Sequence, residues 1–498
     1  MREDWVECSI GEVAELNPKM LNKNNVDTDL EVQFLPMRLV EAVINKIHLT
    51  EIKTFGEIQK KSYTYFSDGD ILFAKVTPCM ENGKIAVASA LKNGIGFGSS
   101  EFHVFRCSSI LLNNYLFNFI VQERFRNNAQ RQMTGAVGLR RVPKKYLFNH
   151  LIPLPPLPIQ RAIVSKIETL FSDLDNGIAD LKKAKDQLKI YRQAVLKKAF
   201  DGELTKVWRE KQSNLPTAEE LLFQINKKRK KWLESEIANG NNEAKRIKTK
   251  IKKSPYHISN SHLPNNWSWT TFLNSCLFVI DCHNKTAPYI DKGIYLVRTT
   301  NIRNGKLDLQ NKIKFVSEET YKFWSKRAFP MAGDIIFTRE APMGEAVIIP
   351  DNTNICLGQR TMLLRVIDNL LSNKYLLYNI LSDVFQQRFK GDEIGTGVKH
   401  LRVGDVEDLS FPLCSLQEQH QIVREIESRL SVCNKVEESI IIGLEKAKAL
   451  RQSILKKAFE GKLLSETEIE KCKQEADYEP ASVLLERIKK DKAHEKQN

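Results

Sequence analysis

No uninterrupted apolar run in this 498-residue chain reaches the roughly 18 residues that a membrane-spanning helix requires. The nine cysteines are scattered, form no Cys-x-x-Cys pair and are odd in number, which argues against a disulfide framework. Cys276, Cys282 and His283 lie near one another, but a fourth zinc ligand at a workable spacing is missing. The stretch from Met1 to Trp5 is acidic and has no apolar region of the kind an export signal carries. These absences predict a reduced, cytoplasmic protein without a structural metal. Catalytic signatures are absent as well. There is no Gly-x-x-x-x-Gly-Lys-Ser/Thr phosphate loop, no His-Glu-x-x-His and no Asp/Asn-Pro-Pro-Tyr/Phe of the amino-methyltransferase kind. Gly94, Gly96 and Gly98 alternate, yet no helical pattern follows them, so they do not read as a dinucleotide or methyl-donor loop.

The composition is that of a folded soluble chain, with 42% hydrophobic and 28% charged residues. Its net charge of +15 invites a nucleic-acid reading, because lysine and arginine can displace phosphate counterions. The charge is unevenly spread. Lys206 to Lys253 hold 14 basic and 6 acidic residues, whereas residues 1–150 hold 19 and 16. Basic charge by itself therefore supports a solvated linker as readily as a DNA-binding face.

One stretch occurs twice. Arg192 to Leu204 returns as Arg451 to Leu463, and the same offset of 259 residues extends the gap-free repeat back to Ile152 and Phe411. That period is too long for a solenoid unit and describes duplication of half a protein. Within the repeat, residues step by threes and fours through Ile167, Leu170, Leu174, Gly177, Leu181, Ala184, Leu188, Tyr191 and Val195, and the second copy keeps the pattern more loosely through Ile422, Ile426, Leu430, Cys433, Ile440, Leu444, Ala447, Leu450 and Ile454. This is the narrow seam of one long helix packing on another. At 1.5 Å per residue, a helix of about 40 residues would be a rigid spacer of about 60 Å.

The remainder follows the same duplication. Residues 1–150 mix short strands, such as Asp70 to Lys75, Lys84 to Ala88 and Phe102 to Arg106, with turn signals and a helical stretch from Asn113 to about Arg131. Residues 151–204 hold the first helical repeat, and 205–264 read as a basic linker with a short helix around Ala218 to Trp232. Residues 265–410 repeat the plan of the first domain, 411–463 hold the second helical repeat, and 464–498 form a tail. Gly-Asp before an apolar strand at Asp70 and at Asp334 reads as a turn rather than a metal ligand. The expected fold class is α+β, with two similar mixed α/β domains separated by two long helices packed as an antiparallel coiled coil, pseudo-two-fold symmetric. Duplex DNA also has two-fold axes, and dimeric readers exploit that match.

Several motifs in the chain resemble those of the specificity subunit of type I restriction-modification systems. They are Leu-Lys-Lys-Ala-Phe-x-Gly at 196–202 and 455–461, Pro-Leu-x-x-Leu-x-x-Gln at 153–160 and 412–419, Gly-Asp-Ile-Leu-Phe-Ala-Lys at 69–75 and Gly-Asp-Ile-Ile-Phe-Thr-Arg at 333–339. Thr-Arg-Glu-Ala-Pro-Met-Gly-Glu at 338–345, Leu-Gly-Gln-Arg at 357–360 and Glu-Pro-Ala-Ser-Val-Leu-Leu-Glu-Arg-Ile at 479–488 add to the match. The resemblance covers nearly the whole chain. It implies two target recognition domains, each reading one half of a bipartite DNA sequence, with the helices fixing the spacer. It further implies docking of two modification subunits, which bind S-adenosylmethionine and methylate adenine, and of restriction subunits that use ATP and Mg. The chain itself would carry no catalytic residue and no cofactor.

In that frame Lys75 and Arg339 occupy equivalent strand ends and suit guanine edges or phosphates, or are surface residues of structural role. Ser99 and Ser100 pair with Gln359 and Arg360, and the Gln359 amide suits adenine. Thr77 and Lys84 join the DNA-binding set. Arg140, Arg141, Lys144, Lys399, His400 and Arg402 suit phosphates, or form a solvated loop. Arg192, Lys197, Lys198, Phe200, Arg451, Lys456, Lys457 and Phe459 are candidates for the subunit interface or for packing at the helix end. A structural coiled-coil scaffold whose end domains bind proteins, and an enzyme with an unfamiliar active site, are the competing readings.

Overall fold

The computed structural model describes residues 2–20, 26–136, 138–253, 262–283, 285–388 and 400–495, with side chains as far as Lys490. The chain forms two compact units, Met1–Lys182 with Ile441–Asn498, and Lys183–Ile440. Two helices of 44 residues, Leu157–Phe200 and Leu416–Phe459, each begin in one unit and end in the other.

In the first unit a four-stranded antiparallel sheet orders Ala14–Leu16, Phe102–Cys107, Ile71–Ala74 and Ile85–Val87. All three strands read from the sequence are in it. Ile71–Ala74 is buried at every residue, which explains its uninterrupted apolar run, since a central strand covered on both faces has no solvent side to alternate with. Ile71 and Phe73 face the cluster built on the long helices, whereas Leu72 and Ala74 face a cluster with Leu35 and Phe66 from a second four-stranded sheet. The expected helix from Asn113 is two, Asn113–Ile120 and Glu123–Arg131. The second unit repeats the plan, with a central sheet of Phe278–Asp281, Thr361–Arg365, Ile335–Thr338 and Ala346–Ile348.

The Gly-Asp motif is a turn whose buried carboxylate also carries an ion pair. The Asp70 carboxylate accepts from the Ser67 amide at 2.8 Å and from Arg106 Nε and Nη2 at 2.9 and 2.7 Å. Asp334 accepts likewise from Met331 at 2.9 Å and from Arg365 at 2.7 and 2.6 Å. The carboxylate thus ties the turn before one strand to an arginine on its neighbour.

Each domain is joined to a long helix through the glutamine of the Pro-Leu-x-x-Leu-x-x-Gln motif. Gln160 is fully buried; its Oε1 accepts from the Leu112 amide and its Nε2 donates to the carbonyls of Ile110 and Pro155, all at 2.9 Å. Gln419 makes the matching bonds to the Ser372 amide at 2.8 Å and the Cys414 carbonyl at 2.9 Å. Beside them Tyr115 and Tyr375 each donate at 2.8 Å to a proline carbonyl, of Pro153 and Pro412. In the second unit the buried Glu418 carboxylate also gathers Thr205, Arg209 and Trp267 Nε1, each at 2.8 Å. In the first unit Ile159 stands at the equivalent position, and the buried Nε1 of Trp5 has no hydrogen-bond partner among the described residues.

Within each unit the helix segments run antiparallel. Arg451 pairs with Asp175 and Gly443 packs on Leu181 in the first, and Arg192 pairs with Glu437 while Thr205 reaches Glu418 in the second. The seam differs from the expected one at three places. Gly177, Tyr191 and Leu450 lie on the exposed side, and their neighbours Ile178, Arg192 and Arg451 are the half-buried ones. A long arginine side chain can cover the seam with its stem and pair its head across it. Both helices stop at a glycine in the left-handed conformation, Gly202 at φ +77° and Gly461 at φ +73°, as helix C-termini commonly do.

The segment 205–264, expected as a linker with one short helix, carries three helices, Lys206–Glu210, Ala218–Ala238 and Asn242–Lys253. The tail matches part of it. Ala218, Leu221, Leu222 and Ile225 are buried in the second unit as Ala481, Leu484, Leu485 and Ile488 are in the first. No helix among the described residues is long and apolar enough to cross a membrane.

Replacing Gln160 by leucine keeps the volume but strands a buried amide and two buried carbonyls. We expect a loss of about 2–4 kcal/mol of stability in the first unit, read as a lowered urea midpoint in tryptophan fluorescence against the exposed-site control Lys182→Gln.

Candidate nucleic-acid interface

At the end of strand Ile71–Ala74 the chain brings together most of the candidate residues of the first domain. The Lys75 amide donates to the Glu101 carbonyl at 2.9 Å, and Lys75 Nζ donates to the Ser100 carbonyl at 2.7 Å. Burial pushes the Lys75 pKa down, with Arg141 adding to the effect and Glu101 opposing it. The basic segment 134–142 returns along this strand end. Val142 donates to the Lys75 carbonyl at 2.9 Å and Thr77 donates to the Arg140 carbonyl at 3.0 Å. Arg141 forks onto Glu101 at 2.8 and 2.6 Å, and that hydrogen-bonded pair holds the Glu101 carboxyl below its ordinary pKa. Arg140 is exposed and donates to the Met133 carbonyl at 3.1 Å. Lys144 is exposed and opens the helix Lys144–Asn149.

The other candidates of this domain are engaged locally. Thr77 Oγ1 donates to Glu81 at 3.2 Å, Lys84 Nζ donates to the Met37 carbonyl at 2.9 Å, and Ser99 Oγ accepts from the Glu101 amide at 3.2 Å.

His103 did not figure among the sequence candidates. It lies in the strand that pairs with Ile71–Ala74 and is 6% exposed. Its Nε2 sits 3.1 Å from the Val142 carbonyl and its Nδ1 sits 3.2 Å from Asn17 Nδ2. The carbonyl requires a proton on Nε2, which leaves Nδ1 to accept from Asn17. Burial lowers its pKa to about 4, so the neutral ring clamps the arm that carries Arg140 and Arg141. A polar residue inside the apolar run Phe102-His103-Val104-Phe105 was the available signal.

The second unit builds the same frame with different charges. Arg339 donates through its amide to the Arg360 carbonyl at 2.8 Å, accepts from the Leu401 amide at 3.1 Å, and sends Nη1 to the Leu401 carbonyl at 3.2 Å. Its Nε is buried and has no hydrogen-bond partner among the described residues. Strand register shifts the expected pairing by one. Ser99 donates to Leu35 where Gly358 donates to Val297, so Gln359 answers Ser100 and Arg360 answers Glu101. Gly98 and Gly358 occupy successive positions of the same turn, and matching them as equivalents produces the slip. Arg360 pairs with Glu340 at 2.7 Å, and Gln359 is half-buried beside it. His400 and Arg402 are exposed or half-exposed, Arg402 preceding the helix Val403–Glu407. Lys399 lies outside the described residues.

The helix-end candidates divide cleanly. Phe200 is buried with its ring 5.3 Å from Tyr375, and Phe459 packs 5.1 Å from Tyr115 and 5.2 Å from Phe119. Arg192 and Arg451 are spent on Glu437 and Asp175. Lys197, Lys198, Lys456 and Lys457 are exposed. The phenylalanines and arginines therefore pack helix ends, and the four lysines form the surface of the motif. Among the described residues no group of three or more His, Cys, Asp or Glu could hold a metal ion.

These features define a chain of two similar α/β domains, each with cationic side chains at one end of its central sheet and each seated on two long helix segments. The family described as the type I restriction modification DNA specificity domain matches residues 2–183 and 278–446, and the chain belongs to it. The specificity subunit of type I restriction enzyme EcoAI from Escherichia coli is 27% identical over 491 residues, covering 87% of this chain and 79% of its own length. The HsdS subunit from Thermoanaerobacter tengcongensis has the same fold, with a TM-score of 0.55 at 19% identity over 93% of this chain and 98% of its own. A chain from a structural study of complex assembly and conformational transition of the type I R-M system reaches 0.66 at 18% identity, over 93% and 99%.

The His103 clamp gives a pH dependence of known sign. The unfolded chain takes up a proton near pH 6.5 and the folded one only near pH 4, so stability falls as pH drops through that window and is flat below it. The loss amounts to about 3 kcal/mol. Urea titrations between pH 7 and 4 should show this slope in the wild type and a shallower one in His103→Gln, where His150, whose pKa burial also lowers, keeps its own share.

Proposed function

We propose that this chain is the DNA-specificity subunit of a type I restriction-modification complex, with recognition domains at 1–150 and 265–410, each reading one half of a bipartite target. The observation that carries the reading is the repeated frame at the strand ends, where Lys75 and Arg339 stand at the same register position and a basic arm returns beside each. Arginine and lysine at such sites can reach guanine O6 and N7, while the arms position the duplex through phosphates. The paired carboxylates Glu101 and Glu340 hold Arg141 and Arg360 in fixed orientations. They also reduce the local positive charge, so sequence-independent binding through these loops is weak relative to a bare lysine cluster.

In this reading the two long helices set the spacer between half-sites, and the exposed lysines 197, 198, 456 and 457 belong to the surface on which two modification subunits dock. Methyl transfer from S-adenosylmethionine, ATP hydrolysis and Mg-dependent cleavage belong to the modification and restriction subunits. The chain contributes DNA recognition and assembly and performs no chemical step.

The test is adenine-methylation mapping at single-base resolution in cells expressing this chain with its modification subunit, against the modification subunit alone. A split motif that appears only with this chain, and changes in one half when one domain is exchanged, is the expected result. No chain-dependent methylation from an assembled complex whose modification subunit works with another specificity subunit would refute the reading. Arg339→Ala should lower target affinity by about 1–3 kcal/mol and relax one base position of the second half-site only, as measured by competition binding.

A further inference from the structure

We infer that the helical hairpin Ala218–Ala238 and Asn242–Lys253 is a second, sequence-independent DNA-backbone contact, adjacent to the second recognition domain. The inference rests on the DNA-specificity reading above and extends it to a surface outside both recognition frames.

The hairpin is fixed. Arg229, 2% exposed, donates from Nη1 to the carbonyls of Leu273 at 2.5 Å and Cys276 at 3.1 Å. Leu233, Ala244 and Ile247 are buried against Phe278 and Ile280 of the central sheet, and the Trp232 ring lies 5.8 Å from that of Phe278. A solvated linker would need none of this.

Its charge is segregated. The helices fold back through the turn at Asn239–Asn241, so Lys227 to Lys231 come level with the last turn, Lys250 to Lys253. Glu234, Glu236 and Glu243 lie at the turn end instead. On the first helix Lys227, Lys228, Lys230 and Lys231 are exposed or half-exposed, on the sides away from Arg229. Among the described residues neither these four nor Lys252 and Lys253 make an ion pair, so six cations face solvent unneutralised. A row of unpaired like charges on one face raises the local concentration of a polyanion.

The basic end also lies against the second recognition domain. Lys250 Nζ is 2.5 Å from Glu407 Oε1, and Glu407 ends the helix that follows His400 and Arg402. Glu407 also feels the charge of Asp281, which pairs in register with Met362, two residues from Arg360. Arg229 and Trp232 hold the lysine run of the first helix beside Leu273, Cys276 and Phe278, along the edge strand of the same central sheet whose other end carries Arg339 and Arg360. Duplex DNA presents a continuous row of phosphates, and lysines on a surface neutralise them as point charges without fixed geometry.

The test uses the complex of this chain with its modification subunits and fluorescent duplexes, one with the mapped target and one unrelated, titrated from 50 to 300 mM salt. The variants are Lys227→Gln with Lys228→Gln, Lys230→Gln and Lys231→Gln, and separately Lys252→Gln with Lys253→Gln. The slope of log affinity on log salt should flatten by about 0.9 for each phosphate that the variant no longer neutralises, which is roughly 8-fold in affinity per phosphate at 0.1 M. Both duplexes should weaken alike and the methylated motif should stay the same. An unchanged slope, with the wild-type complex still selective, overturns the hairpin proposal and leaves the specificity reading intact. Failure of the variant to assemble with the modification subunits also overturns it, in favour of a protein partner at this face. A wild-type complex without selective DNA binding removes both.

Discussion

The arrangement of each unit depends on one buried amide. Gln160 and Gln419 sit in the first turns of the long helices and bond to backbone groups at the start of the domain's own helix, Asn113–Ile120 in one case and Asn373–Ile380 in the other. A buried glutamine that makes two or three such bonds is directional in a way apolar packing is not, because rotating the domain would leave donors and acceptors unpaired in a dry interior. With that joint set, the tyrosine bonded to a proline carbonyl and the phenylalanine from the opposite helix end fall into place around it. The central sheet then carries the cationic side chains Lys75 and Arg339 at its strand ends.

The loops at those strand ends share backbone geometry and differ in charge. Where the first domain places Glu101 against Arg141, the second places Arg360 against Glu340. Exposed pairs of this kind contribute little to stability, on the order of 0–1 kcal/mol. Their effect is on presentation, since a forked arginine offers a fixed edge while a free one samples many. One scaffold can therefore display unlike patterns of donors without change in the hydrogen bonds that hold the frame, which run through main-chain atoms of Lys75, Val142, Arg339 and Leu401.

Much of this was legible in the sequence. The duplication, the buried strands and the two helix ends follow from spacing, because burial on both faces and a left-handed glycine each leave a local signature. What failed to read had non-local causes. The seam shift from Tyr191 to Arg192 arises because arginine packs its stem and pairs its head, so hydropathy alone assigns it outward. The one-residue slip between Ser99 and Gly358 arises because register is set by the neighbouring strand, not by the glycine the eye aligns. The lysine-rich segment reads as solvated because its few buried residues, Arg229 and Leu233 among them, are diluted by exposed cations. His103 stands out locally as a polar residue in an apolar run, but its role comes from Val142, 39 residues away.

The exchange of helix ends has a genetic consequence. The two copies of the repeat are in the same reading frame at an offset of 259 residues, so a crossover between them deletes one domain and one helix without a frameshift. A junction after Lys182 would leave residues 1–182 fused to 442–498, which is the first unit almost residue for residue, but with its two antiparallel helix segments now continuous in a single straight helix. Such a helix cannot lie alongside itself. The seat that Phe459 fills beside Tyr115 would then be open to the same residue from a second copy, and two such products paired about a two-fold axis would carry the same domain at both ends.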